Sequence, residues 1–312
     1  MNIFIAGGTG AVGRSLVPML VAEGHRVIAM TRSAERTSAL ERMGAEPVVG
    51  DVFDTASLEQ IVVDSKPDVV IHQLTAFGSE GADPLAETIR IRIEGTRNLI
   101  AAARAAGATR FITQSISFVC SPNGTGLTDE ETPLYLDGPE AVRALAESVA
   151  SLEQQTLGIN GIDGVVLRYG WFYGPGTNYD MNDSIPKAIR KGRMPIVGES
   201  GGTYSFVHVD DAASAATMAV TGGEPGIYNI VDDEPAESGV WLPYFAELLE
   251  APEPSHMKLE EARTAMGGML ASVMGEQRGA SNKKAKRELA WTPSIPSWRE
   301  GFKKEVMASD RL

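Results

Sequence analysis

Short apolar runs alternate with stretches of helical periodicity through the first half of the chain. Runs at residues 3–6, 26–30, 46–49, 68–71, 110–113 and 164–167 read as strands, each too short and too apolar for a surface helix. Between them lie helical stretches at 14–23 (starting near Ala11), 34–43, 55–64, 84–106 and 139–157. Strand–helix alternation of this kind predicts an α/β fold, a doubly wound parallel sheet with crossover helices on both faces. Past Gly174 the rhythm breaks into glycine, proline and short apolar pieces, with a seventh strand near 228–231 and Trp291 and Trp298 close to the end. This half reads as a smaller lobe. Residues 252–279, rich in Met and Gly, have the least assignable structure and are expected to form a mobile cover.

The junction between the first strand and first helix carries the clearest chemistry. It reads GGTGAVG, with Gly7, Gly10 and Gly13 three apart. In such a loop one glycine makes the tight turn, one lets backbone approach a pyrophosphate, and one lets the helix pack closely on the strand. Thr9, Ala11 and Val12 complete the loop, and the helix N-terminus offers free N–H groups to the phosphates. The expectation is a dinucleotide-binding domain over residues 1–173, completed by a strand near 204–231. A mainly substrate-binding lobe then occupies 174–312.

Composition narrows the partners. A net charge of −13 over 312 residues argues against a nucleic-acid surface, and the short cluster Lys283, Lys284, Lys286, Arg287 reads as a solvated helix face. Hydrophobic content of 43% with a mean hydropathy of −0.09 is that of an ordinary globular chain. No apolar stretch reaches membrane-spanning length, and no basic-then-apolar leader opens the chain, so the expectation is a cytoplasmic protein with no membrane partner. The single cysteine, Cys120, excludes an internal disulfide, fits a reducing compartment and reads as a small buried hydrophobe. No His or Cys spacing suits a metal, so none is expected. His72 and His208 read as structural.

Further segments resemble the extended short-chain dehydrogenase/reductase superfamily, in its NAD(P)-dependent epimerase/dehydratase branch. They are GGTGAVG, Gly50–Asp51, EGTRNLIAAARAAG from Glu94, RFITQS from Arg110, LRYGWFYGPGT from Leu167, FVHVDDAASA from Phe206, YNIVDDEP from Tyr228 and KAKRELAWTPSIPSWREGF near the end. The resemblance covers nearly the whole chain and implies a Rossmann sheet. It also implies that Asp51, with Val52, lies against the adenine, that Leu74, Thr75 and Ala76 pass close to the adenosine ribose, and that Gln114 lies along the cofactor. Asp210 and Asp211 match a segment that orients substrate-lobe backbone. Dimerisation through helices near 84–106 and 139–157 is a further implication.

The superfamily's Tyr-x-x-x-Lys pair is missing. With the helix anchored on Glu153, Leu145 stands at the Tyr position and Val149 at the Lys position. Tyr135 precedes Pro139 in a loop and has no lysine at the required spacing. The remaining candidates for a proton donor are Ser117, Ser115 and Tyr169, or else water or the substrate. At the end of the second strand the chain reads Met30-Thr31-Arg32-Ser33, with Arg36 a turn later and no acid to hold a ribose diol. Arg32 with Ser33 therefore reads as the reader of a ribose phosphate, favouring NADP over NAD; its alternative is a solvated arginine at a helix start. The aromatic cluster Tyr169, Trp171, Phe172, Tyr173 follows the sixth strand, either facing a flat substrate or packing between lobes.

The reading is an NADP-dependent oxidoreductase moving a hydride to or from a small, mostly apolar carbonyl, enone or imine. Two alternatives remain: an NAD(P)-assisted epimerase, isomerase or dehydratase, and a non-catalytic NADP sensor.

Overall fold

A computed structural model describes residues 1–76 and 83–309. The expected lobe 174–312 therefore ends three residues outside the described chain. Seven strands form one parallel sheet: β1 (Asn2–Ala6), β2 (Arg26–Thr31), β3 (Glu46–Val49), β4 (Val69–His72), β5 (Arg110–Ile116), β6 (Asp163–Tyr169) and, after an intervening short β7 (Trp171–Tyr173) and β8 (Phe206–His208), β9 (Gly226–Ile230). Their spatial order is β9-β6-β5-β4-β1-β2-β3, and every neighbouring pair is parallel. The order reverses between β1 and β4, the point at which open α/β sheets bind ligands beyond their carboxyl ends.

Period-two alternation sends each strand's side chains to two cores. Ile3 and Ile5 face α1 (Ala11–Ala22), whose Leu16, Val17 and Leu20 are fully buried; Phe4 and Ala6 face the opposite way. On that second face lie α3 (Thr55–Ser65), following the small α2 (Thr37–Arg42), and α5 (Thr96–Ala105). The expected helix over 84–106 is α4 (Pro84–Arg90), a single π-helical turn at Ile91–Gly95, and then α5. Asp83 caps α4, its side chain accepting from Ala86 N at 3.0 Å. Next come α6 (Glu140–Leu157), α7 (Ser184–Arg190) and the alanine-rich α8 (Val209–Met218), whose small side chains let it lie against α1.

A third, aromatic core joins Tyr173, Tyr204, Phe206 and Trp298 to Trp241 and Phe245 of α9 (Ser238–Leu248). Trp291, expected with Trp298, instead packs in the sheet core, where its Nε1 donates to Asp211 O at 3.1 Å. The stretch 252–279 is not an unstructured cover: it holds α10 (Leu259–Met266) and α11 (Gly268–Glu276), and α11 packs on α6. Gly267, at φ +86°, makes the break between the two helices. The chain closes with α12 (Lys283–Glu288) and α13 (Trp298–Ser309). Among the described residues no helix is long and apolar enough to cross a membrane.

Candidate functional site

The carboxyl ends of β1 to β5 carry the residues singled out in the sequence. Gly7 has φ +104°, and a Cβ there would stand 2.7 Å from Gln73 O, so the turn after β1 requires glycine. A Cβ on Gly13 would meet Gly7 O at 2.4 Å, which is how closely α1 approaches the strand. Gly10 differs. It is exposed, and a Cβ there would find only Gly7 O, at 3.4 Å. It caps α1 with no side-chain hydrogen bond, so the helix begins with open N–H groups beside an open face. This cradle fits a dinucleotide pyrophosphate, and Gly7, Thr9, Gly10, Ala11, Val12 and Gly13 are the residues that would hold it.

At the end of β2, Ser33 N donates to Thr31 Oγ1 at 3.3 Å, and Arg32 reaches outward, its side chain 53% exposed and 3.5 Å from Glu87 Oε1. An exposed pair of that length leaves the guanidinium free to take a better anion. After β3, one carboxylate oxygen of Asp51 accepts from Phe53 N at 2.9 Å, and Val52 is buried. Leu74 and Thr75 leave β4 half-buried, whereas Ala76 is buried and donates from its N–H to Thr88 Oγ1 at 3.1 Å. Gln114 is half-buried near the end of β5.

His72, at the end of β4, is structural. Its Nδ1 accepts from Leu74 N at 3.2 Å, so Nε2 carries the proton toward Thr96 Oγ1 at 3.1 Å. Full burial pushes its pKa down to about 4. His208 accepts from Asp210 N at the start of α8. Asp211 orients backbone as expected, accepting from Ser294 N at 2.7 Å and Ile295 N at 3.0 Å.

Two of the three proposed proton donors need correcting. Ser115 lies inside β5, which runs to Ile116 rather than ending at 113; it is fully buried and donates to Glu153 Oε1 at 2.8 Å. Glu153 in turn accepts from Arg168 Nε and Nη2, each at 2.7 Å. Ser115 thus completes a buried ionic network and faces no substrate. Tyr169 is also fully buried, its hydroxyl held between Gln73 Nε2 at 3.3 Å and Ala212 O at 3.4 Å, and burial raises its pKa well above the usual phenol range. A phenol so placed is a poor acid and touches no open space. Ser117 remains. Its N–H donates to Tyr169 O at 2.9 Å; the residue is buried, at 3% exposed, and its hydroxyl makes no hydrogen bond among the described residues.

The residues flanking Ser117, Ile116 and Phe118, belong to a largely buried apolar cluster. Leu145 and Val149 pack with Ile116 and Val119, joined by Phe118 and by Met269 of α11. The aromatic cluster divides. Tyr169 and Tyr173 are core, whereas half-buried Trp171 stacks on Phe118 with centroids 4.2 Å apart, its Nε1 donating to Gln277 Oε1 at 3.0 Å. Phe118 and Gln277 were absent from the expected site. Phe118 carried the one available signal, its place directly after Ser117; Gln277 carried none, since it arrives from a distant helix end. Cys120 is buried, as expected, and burial pushes its thiol pKa up.

Residues 3–231 match the NAD dependent epimerase/dehydratase family. The chain is 40% identical over 309 residues to a 3-diazoavenalumate denitrifying reductase of a Streptomyces species, covering 98% of this chain and 100% of that one. It is 30% identical over 231 residues to a 2-alkyl-3-oxoalkanoate reductase of Stenotrophomonas maltophilia, covering 72% and 67% respectively. Among solved structures, a UDP-glucose 4-epimerase of Thermotoga maritima superimposes with a TM-score of 0.79 at 22% identity, over 100% of this chain and 99% of that one. At that identity the likeness concerns the fold.

Proposed function

The chain belongs to the NAD dependent epimerase/dehydratase family and is an NAD(P)-dependent oxidoreductase, and we propose that it uses NADPH to reduce a small, flat electrophile that needs no proton from the enzyme. The observation that carries this reading is the buried apolar packing of Leu145 and Val149, at the positions where the resemblance to the superfamily puts its Tyr and Lys. When bound, the nicotinamide would supply the hydride, and the protein's task would be to orient two reactants. Ser117, itself buried, is the one hydroxyl of the three that makes no side-chain hydrogen bond among the described residues.

The substrate class follows from that lack of an acid. A ketone reduced by hydride becomes an alkoxide and must be protonated. A diazonium group is already cationic; hydride adds to its terminal nitrogen to give a neutral diazene, and as the C–N bond breaks and dinitrogen leaves, the hydrogen passes from nitrogen to carbon. The relative named for denitrifying a diazo compound is 40% identical across nearly its whole length. We therefore place a diazo or diazonium compound ahead of the carbonyl, enone and imine classes. The Trp171–Phe118 stack supports a planar substrate. The epimerase reading is weaker, because reversible oxidation of an alcohol needs the base that is missing here.

The test is substrate-dependent. With an aryl diazonium substrate, Ser117→Ala should lower kcat by less than about tenfold. Loss of about 10²–10⁴, the usual size of general acid catalysis, would show that Ser117 delivers a proton and would return the carbonyl class to first place. NADPH preference is tested separately. Arg32→Ala should narrow the gap between NADPH and NADH affinity by about 1.5–3 kcal/mol, the worth of hydrogen bonds to a charged group. Equal wild-type affinities in titration calorimetry would refute it.

A further inference from the structure

Arg92 is a buried cation with almost nothing to bind. It sits in the π-helical turn Ile91–Gly95 and is only 3% exposed. Its one hydrogen bond among the described residues runs from Nη1 to Ser148 Oγ, at 3.5 Å. A guanidinium has five donors in a rigid fork, so most of them are unmatched. The neighbouring charges do not help. Glu153, the carboxylate that acts on it, is already held through both oxygens by Arg168. His72 is neutral, and both its nitrogens are engaged. Burial lowers the Arg92 pKa to about 10, against the smaller opposing pull of Glu153.

A buried, unpaired guanidinium is destabilising; an apolar side chain of similar size would serve packing better. Single π-helical turns recur at functional sites, where the extra residue re-aims a side chain. Ser148 shows where the fork arrives. That serine gives its own proton to Leu145 O at 2.7 Å, so toward Arg92 it is an acceptor. It also immediately precedes Val149 on α6. The guanidinium therefore reaches the same turn of helix from which the superfamily's lysine is missing, coming from the facing helix.

Resting on the dinucleotide reading above, we propose that Arg92 is a cofactor-binding residue whose guanidinium donates to the ribose hydroxyls on the nicotinamide side of the dinucleotide, in place of the lysine that Val149 replaces. A vicinal diol offers two acceptors at the spacing of a guanidinium fork, and it is neutral, so binding it does not require a second buried charge. The pyrophosphate cradle lies at the N-terminus of α1, after β1. A dinucleotide held there would extend its nicotinamide half past β4 toward β5 and α6.

The proposal is tested by titration calorimetry with two probes, NADPH and the adenosine bisphosphate that corresponds to the adenine half of NADP. Arg92→Met should weaken NADPH by about tenfold to a hundredfold, the equivalent of one or two hydrogen bonds to a charged group. Binding of the adenosine bisphosphate should stay within about twofold of wild type. Unchanged NADPH affinity in Arg92→Met overturns the proposal, as does an equal loss for both probes, which would mark a merely structural residue. Should Arg92→Met fail to fold, Arg92→Gln takes its place, with the same selective loss expected and the same two results overturning the proposal. A wild-type protein that binds neither probe would overturn the dinucleotide reading itself, and this inference with it.

Discussion

At the scale of single residues, the glycine loop separates two kinds of close contact. Gly13 is closed in by the protein's own backbone, while Gly10 is open on the side where a ligand would lie. Gly13→Ala should therefore destabilise the fold by about 1–3 kcal/mol, the usual cost of overpacking, with cofactor affinity falling as a consequence. Gly10→Val should leave the urea midpoint near wild type and abolish NADPH binding. Wild-type affinity in folded Gly10→Val would make the loop a plain turn. The loop itself was legible in the sequence, because three evenly spaced glycines between a buried strand and a helix are what close backbone approach demands. The proton donors were not. Ser115 and Ser117 look alike in RFITQSIS, and only the extension of β5 to Ile116, with Glu153 and Arg168 beside it, ties the first into a hydrogen-bonded ionic network and leaves the second, buried as well, outside it.

At the scale of elements, the inner end of the sheet is tied by an ionic network rather than by apolar packing alone. Arg168 on β6 and Glu153 on α6 are 4% and 6% exposed, and Ser115 on β5 completes the set. Removing one partner leaves an uncompensated buried charge. Arg168→Leu should cost about 3–5 kcal/mol, read as a lowered midpoint in chemical denaturation. A change below about 1 kcal/mol would show that the charges are well solvated in the fold. The strands and crossover helices could be read from their apolar spacing. Helices α10 and α11 could not, because Gly267 and Gly268 interrupt them and α11 is apolar on most sides, which hides any helical stripe. The packing of α11 on α6 is a tertiary contact that local pattern does not encode. Arg92 is the same lesson in a helix whose existence was clear: the sequence places it on a helix, but the inward aim depends on the π-helical turn.

At the scale of the whole molecule, the titration of His72, buried at the end of β4, affects global stability. Its folded pKa is about 4, against 6.5 for the free side chain. As pH falls, the unfolded chain takes up this proton first. The contribution is complete above pH 6.5 and is lost between there and pH 4, about 3 kcal/mol at most at 1.36 kcal/mol per pH unit. Urea titrations across that window should show a steeper loss for wild type than for His72→Gln, which keeps a donor toward Thr96 but does not titrate. Parallel slopes would mean that the histidine is charged in the fold.

The central claim, hydride delivery without an enzyme acid, is tested most directly by isotope. The protein is mixed with an aryl diazonium compound and NADPH deuterated at the transferred position, in ordinary water, and the arene product is analysed by mass. The account predicts one deuterium on the ring carbon that lost nitrogen, because the diazene collapses before its N–D exchanges with solvent. It also predicts release of dinitrogen and the same outcome with Ser117→Ala. Arene carrying hydrogen drawn from solvent, or consumption of NADPH only with ketones and only while Ser117 is intact, would contradict it.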